Sequence, residues 1–224
     1  MNYIETINKL LKENNGIITS SQIMANNIAR QYLKLMLNNN QILKATRGVY
    51  ITKGALEDEM YIFQQRYRKG IFSHDTALYI HGLTDRMLDK YIMTFPQGYH
   101  INSLKDNLIT IKQANPNIYN LGIEEKLSPF KNKIKVYNME KTLCDMARGS
   151  NIDDAQLFIP AIKMYISKKK KNIPLLMEYA EKLRVKDKIL KYLQVLLWTF
   201  QMLCNLIGRR PPNSKTLDTI SKEI

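Results

Sequence analysis

The chain has few cysteines and few acidic residues, and each shortage limits the classes of site and partner that the protein can have. Its two cysteines, Cys144 and Cys204, lie far apart and form no CxxC pair. This spacing argues against a zinc ribbon and is typical of a protein in a reducing cytosol. The first residues include Glu5, Lys9 and Lys12, so they lack the apolar core of a signal peptide. We therefore expect a cytoplasmic protein.

The sequence also lacks the short motifs that mark common catalytic and cofactor sites. It contains neither a phosphate-binding GxxxxGK loop nor the GxSxG turn of serine hydrolases. An uncharged run covers residues 192–207, but it is slightly shorter than the roughly 20 apolar residues that a membrane span needs. We therefore expect no cofactor, no metal and no association with a membrane.

Basic residues outnumber acidic residues by a wide margin. The chain has 34 lysines and arginines against 20 aspartates and glutamates, which gives a formal net charge of +14 at pH 7. Clustered cations gain affinity for polyanions because binding releases condensed counterions. The composition therefore favours a nucleic acid as partner, although lysines on solvated helices would give the same total.

Residues 16–51 predict a DNA-binding fold, the winged helix-turn-helix. Their sequence is GIITSSQIMANNIARQYLKLMLNNNQILKATRGVYI. The hydroxyl groups of Thr19, Ser20 and Ser21 are candidates for a helix N-cap, because they can accept the free N–H groups of a first turn. A short helix over residues 22–24 is expected to follow them.

A turn and a second helix come next. Asn26 and Asn27 tolerate left-handed backbone, and the apolar residues after them predict a helix over residues 28–38. At about 100° per residue, cationic and amide side chains gather on one side of this helix, and apolar side chains face the other way, toward a core. The polar set is Arg30, Gln31, Lys34 and Asn38, and the apolar set is Ala29, Leu33, Met36 and Leu37.

The polar set has the chemistry of a helix that lies in a DNA major groove. Arginine and lysine suit guanine or phosphate, and glutamine and asparagine suit adenine. A recognition helix enters the groove with its N-terminal residues nearest the bases, so Arg30, Gln31 and Lys34 are the first candidates for base contacts. Ser20 and Ser21 precede this helix, and we expect them to contact phosphate.

Residues 42–44 and 49–52 predict two short strands that form a hairpin. Gly48 can take the positive φ that such a hairpin needs. Arg47 lies at the predicted tip, where a wing would contact the sugar-phosphate backbone, and Lys44 is a further candidate for DNA contact.

The rest of the chain predicts a mixed domain, so we expect an α+β protein. Apolar residues at helical spacing predict a first helix around residues 4–11, and the Lys-Gly-Ala sequence at residues 53–55 suggests a seam between domains. We expect a DNA-binding domain over residues 1–54, a second domain over residues 55–197 and an atypical extension over residues 198–224.

In the second domain the strand patterns come mostly before the helix patterns, which favours a small sheet covered in part by helices. Turn and capping residues such as Gly82, Gly98 and Asn138 separate the elements. The predicted strands cover residues 91–95, 108–111 and 134–137, and the predicted helices cover residues 56–68, 73–80, 139–148, 153–168 and 172–184, with a last helix from residue 186.

A run of four lysines ends one of these predicted helices. It consists of Lys168, Lys169, Lys170 and Lys171. A solvated helix C-terminus accommodates such charges well, because they interact favourably with the helix dipole. Together with Arg184, Lys186 and Lys188, the run is also a candidate for a second electrostatic contact with nucleic acid.

Two groups of titratable residues are candidates for an active site, and the first contains His74, Asp75, His81 and Asp85. His74 and His81 lie seven positions apart, whereas metal ligation usually requires closer spacing and a third ligand. A structural role, such as a hydrogen bond between helix and sheet, is favoured for both. The other group is acidic, but its glutamates follow a glycine in what is predicted to be a loop and not at the strand centre that a nuclease needs. This group contains Glu124, Glu125, Lys126, Glu140 and Asp145.

Several blocks of the sequence resemble the AbiEi-type antitoxins. The block at residues 16–51 is similar to the winged-helix domain of this family. The blocks IFSHDTALYIHGLTDRM, YIMTFPQGY and VYNMEKTLCDMARG are similar to its antitoxin domain and occur in the family's order. The resemblance extends from about residue 3 to residue 197. Members usually end soon after a block like KYLQVLL, so nothing is carried over to the residues from Trp198 onward.

The resemblance implies a bacterial type IV toxin–antitoxin system that acts in abortive infection, a defence against phage. Antitoxins of this family repress their own operon by binding inverted repeats in its promoter. They neutralise a nucleotidyltransferase-like toxin without forming a stable complex with it. The resemblance implies DNA binding by the N-terminal domain and antitoxin activity in the C-terminal domain. The alternative is a nucleic-acid-processing enzyme that uses a winged helix as a targeting module.

The expected oligomeric state follows from the size of the predicted interface. One small winged helix buries only roughly 600–1,000 Å² on DNA, which rarely gives tight specific binding. Inverted repeats offer two sites, and no heptad pattern before residue 185 suggests a dimerisation helix. We therefore expect a monomer in solution and two copies on the operator.

Overall fold

A computed structural model describes most of the chain. The described residues are 3–55, 57–99, 107–149 and 152–207, with the backbone alone described for 152–155 and 197–207. Helices and two sheets make up these residues, so the predicted α+β class is confirmed. The predicted extension lies largely outside this description, because its backbone is described only to residue 207.

The chain divides into two compact units. The first contains Met1–Ile71 and Glu125–Lys135, and the second contains Phe72–Glu124 and Val136–Ile224. The first compact unit therefore extends beyond residue 54 and includes a segment from much further along the chain. Compactness does not establish which residues fold alone, so the domain boundaries remain a prediction.

Helices surround a three-stranded sheet in the first unit. Its elements are α1 (Tyr3–Glu13), β1 (Ile17–Thr19), α2 (Ser20–Ala25), α3 (Gln31–Asn38), β2 (Ile42–Thr46), β3 (Val49–Thr52) and α4 (Glu59–Arg66). The sheet has the order β1–β3–β2, and both pairings are antiparallel. Strand β1 was not predicted, because a run of three residues is too short to show the alternation that marks a strand.

The core of this unit holds helices α1, α2 and α3 together. Apolar side chains at helical spacing bury one side of each helix, and each fully buried side chain of this size contributes about 1.5–3 kcal/mol. The first helix, predicted from its apolar spacing, is confirmed as α1. The buried cluster contains Ile7, Leu11, Ile18, Ile23, Ile28, Leu33, Met36 and Ile42.

The carboxylate of Asp58 joins helix α4 to the segment Glu125–Lys135. Asp58 is 1% exposed, and its Oδ1 accepts a hydrogen bond from the backbone N–H of Tyr61 at 3.1 Å, which caps α4. Its Oδ2 accepts hydrogen bonds from Ser128 Oγ and, at 2.8 Å, from Asn132 Nδ2. A buried carboxylate is tolerated only when its oxygens are satisfied in this way.

The remaining elements are a five-stranded sheet and a set of helices. They are β4 (Ile71–Phe72), α5 (His74–Ile80), β5 (Tyr91–Pro96), β6 (Ile109–Ala114), α6 (Pro116–Tyr119), β7 (Ile123–Leu127), β8 (Lys133–Tyr137), α7 (Met139–Arg148), α8 (Ile152–Ser167), α9 (Ile173–Lys182) and α10 (Lys186–Ile207). The sheet has the order β6–β5–β4–β8–β7. Strands β5 and β6 are parallel, as are β4 and β8.

The prediction of a loop at residues 124–126 was wrong. Glu124, Glu125 and Lys126 lie in strand β7, at the edge of the sheet beside β8. Glutamate and lysine have a low intrinsic preference for strands, but pairing with a neighbouring strand overrides this preference. Strand β4 was also missed, because two residues carry no periodic pattern.

Asparagine caps start two of the long helices at the predicted places. Asn138 Oδ1 accepts a hydrogen bond from Lys141 N at 2.9 Å, and Asn172 Oδ1 accepts one from Leu175 N at 3.1 Å. Helix α7 contacts α8, α9 and α10, and their apolar sides form the larger core. In the described part of the chain, no helix is both long enough and apolar enough to cross a bilayer.

Gly122 packs tightly against the start of α7 and provides a test of this arrangement. Its φ is +66°, and an added Cβ would lie 2.7 Å from Asn138 Oδ1 and 2.8 Å from Lys141 Cβ. We expect Gly122→Ala to lower the free energy of unfolding by about 1.5–4 kcal/mol, because left-handed backbone costs about 1–2 kcal/mol and loss of the cap costs about 0.5–2 kcal/mol. Urea unfolding measures this change.

Gly98 provides the matched control. It has a φ of +81°, and nothing lies within 4 Å of an added Cβ. Gly98→Ala should therefore cost only the backbone term, about 1–2 kcal/mol. Equal losses for the two variants would show that the contact between Gly122 and Asn138 contributes nothing.

Candidate nucleic-acid interface

A capping box sets the start of helix α2. Thr19 Oγ1 accepts a hydrogen bond from Gln22 N at 3.2 Å, and Gln22 Oε1 accepts one from Thr19 N at 2.8 Å. The two residues thus satisfy each other's backbone donors. The predicted N-cap run is confirmed with Thr19 as the cap, and Ser20 and Ser21 are the first two residues of the helix.

The predicted turn after α2 is confirmed. Asn26 Nδ2 donates to Gln22 O at 2.9 Å and closes the end of the helix. Asn27 has a φ of +55°, a left-handed conformation that asparagine tolerates better than most residues. Ile28 then turns inward and is buried, which anchors the chain before α3 begins.

The two sides of α3 differ as predicted, with one exception. Leu33 and Met36 are each 1% exposed, and Leu37 is half-buried. Ala29 was expected to face the core, but it is exposed because α3 begins only at Gln31. Residues 28–30, which were predicted to be helical, lie between the turn at Asn27 and the first residue of α3. All four members of the polar set are exposed: Arg30, Gln31, Lys34 and Asn38.

Arg30 lies at the N-cap position of α3. Its Nε donates to Met24 Sδ at 3.0 Å, a contact that links the beginning of α3 to α2. Sulfur is a weak acceptor, and no carboxylate in the described residues pairs with this guanidinium. Its other N–H groups can therefore bind an external acceptor.

Strands β2 and β3 form the predicted hairpin. Gly48 has a φ of +79°, as predicted, and its carbonyl accepts a hydrogen bond from Ser20 N at 2.8 Å. The hairpin tip thus lies against the start of α2. Arg47 at the tip is exposed, as is Lys44, which lies opposite Tyr50 on β3. Strand β2 continues to Thr46, beyond the predicted end, and the register shifts after Lys44.

A further cation, Arg68, lies beside the start of α2. Arg68 Nη2 donates a hydrogen bond to Ser21 Oγ, so a residue after α4 reaches the first turn of α2. The sequence carries no signal for this contact, because the two residues are 47 positions apart and belong to different predicted domains. Ser20 is half-buried and Ser21 is exposed.

The four lysines of the basic run belong to the second unit. Helix α8 ends at Ser167, so Lys168 lies just outside the helix that was predicted to include it. Lys171 Nζ donates to Lys168 O at 3.4 Å, and both of these lysines are half-buried. Lys169 and Lys170 are exposed. The run therefore presents two lysines fully to solvent.

The second unit also has a cationic cavity, and its enclosure by several elements could not be predicted from the sequence. It has a volume of about 730 Å³ and lies where the chain passes from α9 into α10. Lys188 Nζ donates to Ala147 O at 2.7 Å and to Gly149 O at 3.2 Å, so this lysine satisfies the carbonyl end of α7. The other basic residues in its lining are Arg148, Arg184, Lys186 and Lys191.

The two described histidines of the second unit, His74 and His81, are held by internal contacts. His81 Nε2 lies 2.7 Å from Tyr137 O, which requires the proton on Nε2 and links the end of α5 to strand β8. This is the helix-to-sheet bond proposed from the sequence. Nδ1 of the half-buried His74 lies 3.1 Å from Ser73 Oγ, and desolvation lowers the pKa of this imidazole, which favours its neutral form.

The acidic residues on α7 are also paired internally. Lys141 Nζ donates to Asp145 Oδ1 at 2.6 Å, and both side chains are buried. Glu140 Oε1 accepts a hydrogen bond from Tyr165 OH at 2.7 Å. Burial raises the pKa of the Cys144 thiol to about 12, so this thiol stays protonated. In the described residues, no group of three or more His, Cys, Asp or Glu side chains is arranged to hold a metal.

Comparison with known proteins identifies no family. No protein-family model matches the chain, and no curated protein matches it. Among solved structures, it is similar to the crystal structure of the RV2827C protein from Mycobacterium tuberculosis. The sequence identity is 10% and the TM-score 0.49, over 81% of this chain and 72% of that one.

Proposed function

We propose that this protein is a DNA-binding transcriptional repressor whose first unit is a winged helix-turn-helix. The observation that carries the proposal is the exposed cationic and amide side of α3, beside a hairpin whose tip is bonded to the start of α2. The first six elements follow one another as α1, β1, α2, α3, β2 and β3, and this order supports the proposal of a winged helix. An exposed basic helix next to a basic hairpin suits a major groove flanked by phosphates.

The exposed residues fall into two roles. Arg30, Gln31 and Lys34 begin α3 and are placed to read base edges, because side chains of these types can make bidentate contacts with guanine or adenine. Ser20, Ser21 and Arg47 lie at the start of α2 and at the hairpin tip, and they position the protein on phosphate. The most direct test is footprinting on the DNA just upstream of this protein's own gene.

The antitoxin part of the proposal rests on the resemblance to the AbiEi-type antitoxins. The blocks that carry it lie mainly in the second unit, around α5, β5 and α7. We propose that the protein represses its own operon through inverted repeats. It also counters a nucleotidyltransferase-like toxin without forming a stable complex with it. The chain is a monomer that binds such an operator as two copies, because one small module gives only a small interface.

The alternative is an enzyme that acts on nucleic acid, with the first unit as a targeting module. A cleavage assay with labelled DNA and RNA, with and without divalent metal, separates the two functions. Cleavage that depends on metal and on the protein would reject the repressor as the sole function. Protection of the upstream DNA without cleavage supports it.

Base readout by α3 is tested with single substitutions. We expect Arg30→Ala and Gln31→Ala each to cost about 1–3 kcal/mol in binding to the operator, because each removes a bidentate contact with a base. Binding to random duplex DNA should change much less. Lys12→Ala is the control, because Lys12 is an exposed cation on α1 outside the proposed interface. Equal losses on operator and random DNA would show that these residues do not read sequence.

Arg47 should act through phosphate and not through bases. We expect Arg47→Ala to weaken binding to operator and random DNA alike and to reduce the slope of log K against log salt by about one unit, since one released counterion is lost. Titrations at several salt concentrations measure this slope. A slope that equals that of the unmodified protein would place Arg47 off the DNA.

Repression and antitoxicity should separate in the full-length protein. A fragment from residue 56 onward is unsuitable for this test, because α4 and Glu125–Lys135 are parts of the first unit. We therefore expect the full-length triple variant Arg30→Ala, Gln31→Ala, Lys34→Ala to lose operator binding and still rescue cells that express the toxin. All three side chains are exposed, so the variant should fold normally. A folded variant that fails to rescue would tie antitoxicity to DNA binding.

A further inference from the structure

The first unit contains a cavity whose lining residues are not among those proposed above to contact DNA. Its volume is about 450 Å³, which lies within the range of about 300–1,000 Å³ that is typical of small-molecule sites. Residues from the end of α1, from α4 and its C-terminal extension, and from the segment Glu125–Lys135 line it. All of them belong to the same compact unit.

Cations outnumber carboxylates in the lining of this cavity. The basic residues are Arg68, Lys131, Lys133 and Lys135, and the acidic residues are Glu13 and Glu125. Each carboxylate already has its own cation, because Glu125 lies 3.5 Å from Lys133 and Glu13 lies 4.0 Å from Lys9. Among the described residues, no carboxylate pairs with Arg68, Lys131 or Lys135.

The alternation of strand β8 directs its lysines to one side. Lys133 and Lys135 are exposed, whereas Ile134 and Val136 between and after them are buried. Side chains two positions apart in a strand share a face, so both lysines line the cavity together. The sequence KNKIK at residues 131–135 carries this pattern.

Buried and half-buried hydrogen bonds hold the cavity wall in place. Asn132 is tied to Asp58 and also accepts a hydrogen bond from Asn15 Nδ2 at 3.3 Å. Gln64 Oε1 accepts one from Lys135 N at 2.8 Å, and Gln64 Nε2 donates to Gly70 O at 3.0 Å. These contacts fix the backbone that carries the cations, so a ligand would meet a site that is already formed.

We infer that this cavity binds a phosphate group, either free or carried by a molecule of about nucleotide size. Guanidinium binds phosphate oxygens in pairs, and ammonium groups add point charges. The present partner of Arg68 is the neutral hydroxyl of Ser21, which a dianion displaces readily because charge-assisted hydrogen bonds are stronger. The inference does not rest on the proposed function, because the titrations that establish binding and locate it are made without DNA.

Calorimetric titration of the full chain tests the site with three probes. Adenosine 5′-monophosphate should bind saturably at one site, inorganic phosphate should bind there more weakly, and adenosine should not bind. Inorganic phosphate that binds as tightly as the nucleotide would identify the free ion as the ligand, which also fulfils the proposal. The absence of saturable binding by either phosphate probe would overturn it.

Matched variants then locate the binding. The double variant Lys131→Gln, Lys135→Gln should lower the affinity for the nucleotide by about tenfold or more, because two charge-assisted contacts are lost. The control Lys90→Gln, Lys163→Gln removes the same charge from exposed positions in the second unit and should leave the affinity unchanged. Equal losses in both variants would reduce the binding to general charge attraction and overturn the site.

Ser21→Ala gives a signature that a merely structural role would not produce. It removes the hydroxyl that now holds Arg68, so it should raise the affinity for the nucleotide, whereas Arg68→Gln should lower it. Thermal melts verify that each variant is folded. An affinity for the nucleotide that neither substitution changes would exclude Arg68 from the site. Loss of nucleotide binding in protein saturated with random duplex DNA would assign these cations to the DNA backbone and reject a small ligand.

Discussion

The first unit depends on one buried carboxylate. Asp58 has no cationic partner in the described residues, and its oxygens are satisfied by a backbone N–H on α4 and by two side chains from Glu125–Lys135. Removing any of these donors would leave a polar group unsatisfied in a low-dielectric interior, which costs about 1–3 kcal/mol or more. This requirement fixes two segments that lie about 70 positions apart, and with them the wall of the cavity.

The surface proposed for DNA contact is likewise held in place by internal hydrogen bonds and a tight turn. The capping box at Thr19, the turn at Asn27 and the bond from Ser20 to Gly48 fix where α2, α3 and the hairpin begin and end. These bonds make the scaffold rigid. The exposed side chains themselves make few internal hydrogen bonds, so their polar groups stay available to a partner. A rigid frame of this kind reduces the entropy that binding would otherwise cost.

In the second unit, several buried polar side chains are hydrogen-bonded inside the fold and are not available at the surface. Lys141 and Asp145 pair with each other, Glu140 pairs with Tyr165, and His81 bonds to the sheet. A buried polar group costs free energy unless it is hydrogen-bonded, and these groups satisfy one another inside the fold. The charges that remain at the surface, among them Lys169 and Lys170, are the groups of this unit that a partner can meet.

The sequence by itself determined the features that depend on near neighbours. The caps at Thr19 and Asn138, the hairpin with its positive φ at Gly48 and the buried side of α3 all follow from residues within a few positions of one another. Only the tertiary structure decided that α4 belongs with the first unit, that Glu124 to Lys126 form a strand, and that Arg68 reaches Ser21. Each of these needs a neighbour far along the chain, and local propensity carries no information about such a neighbour. The lysines of the cavity illustrate both kinds of feature. Their alternation is visible in the sequence, whereas the walls that enclose them come from three separate segments.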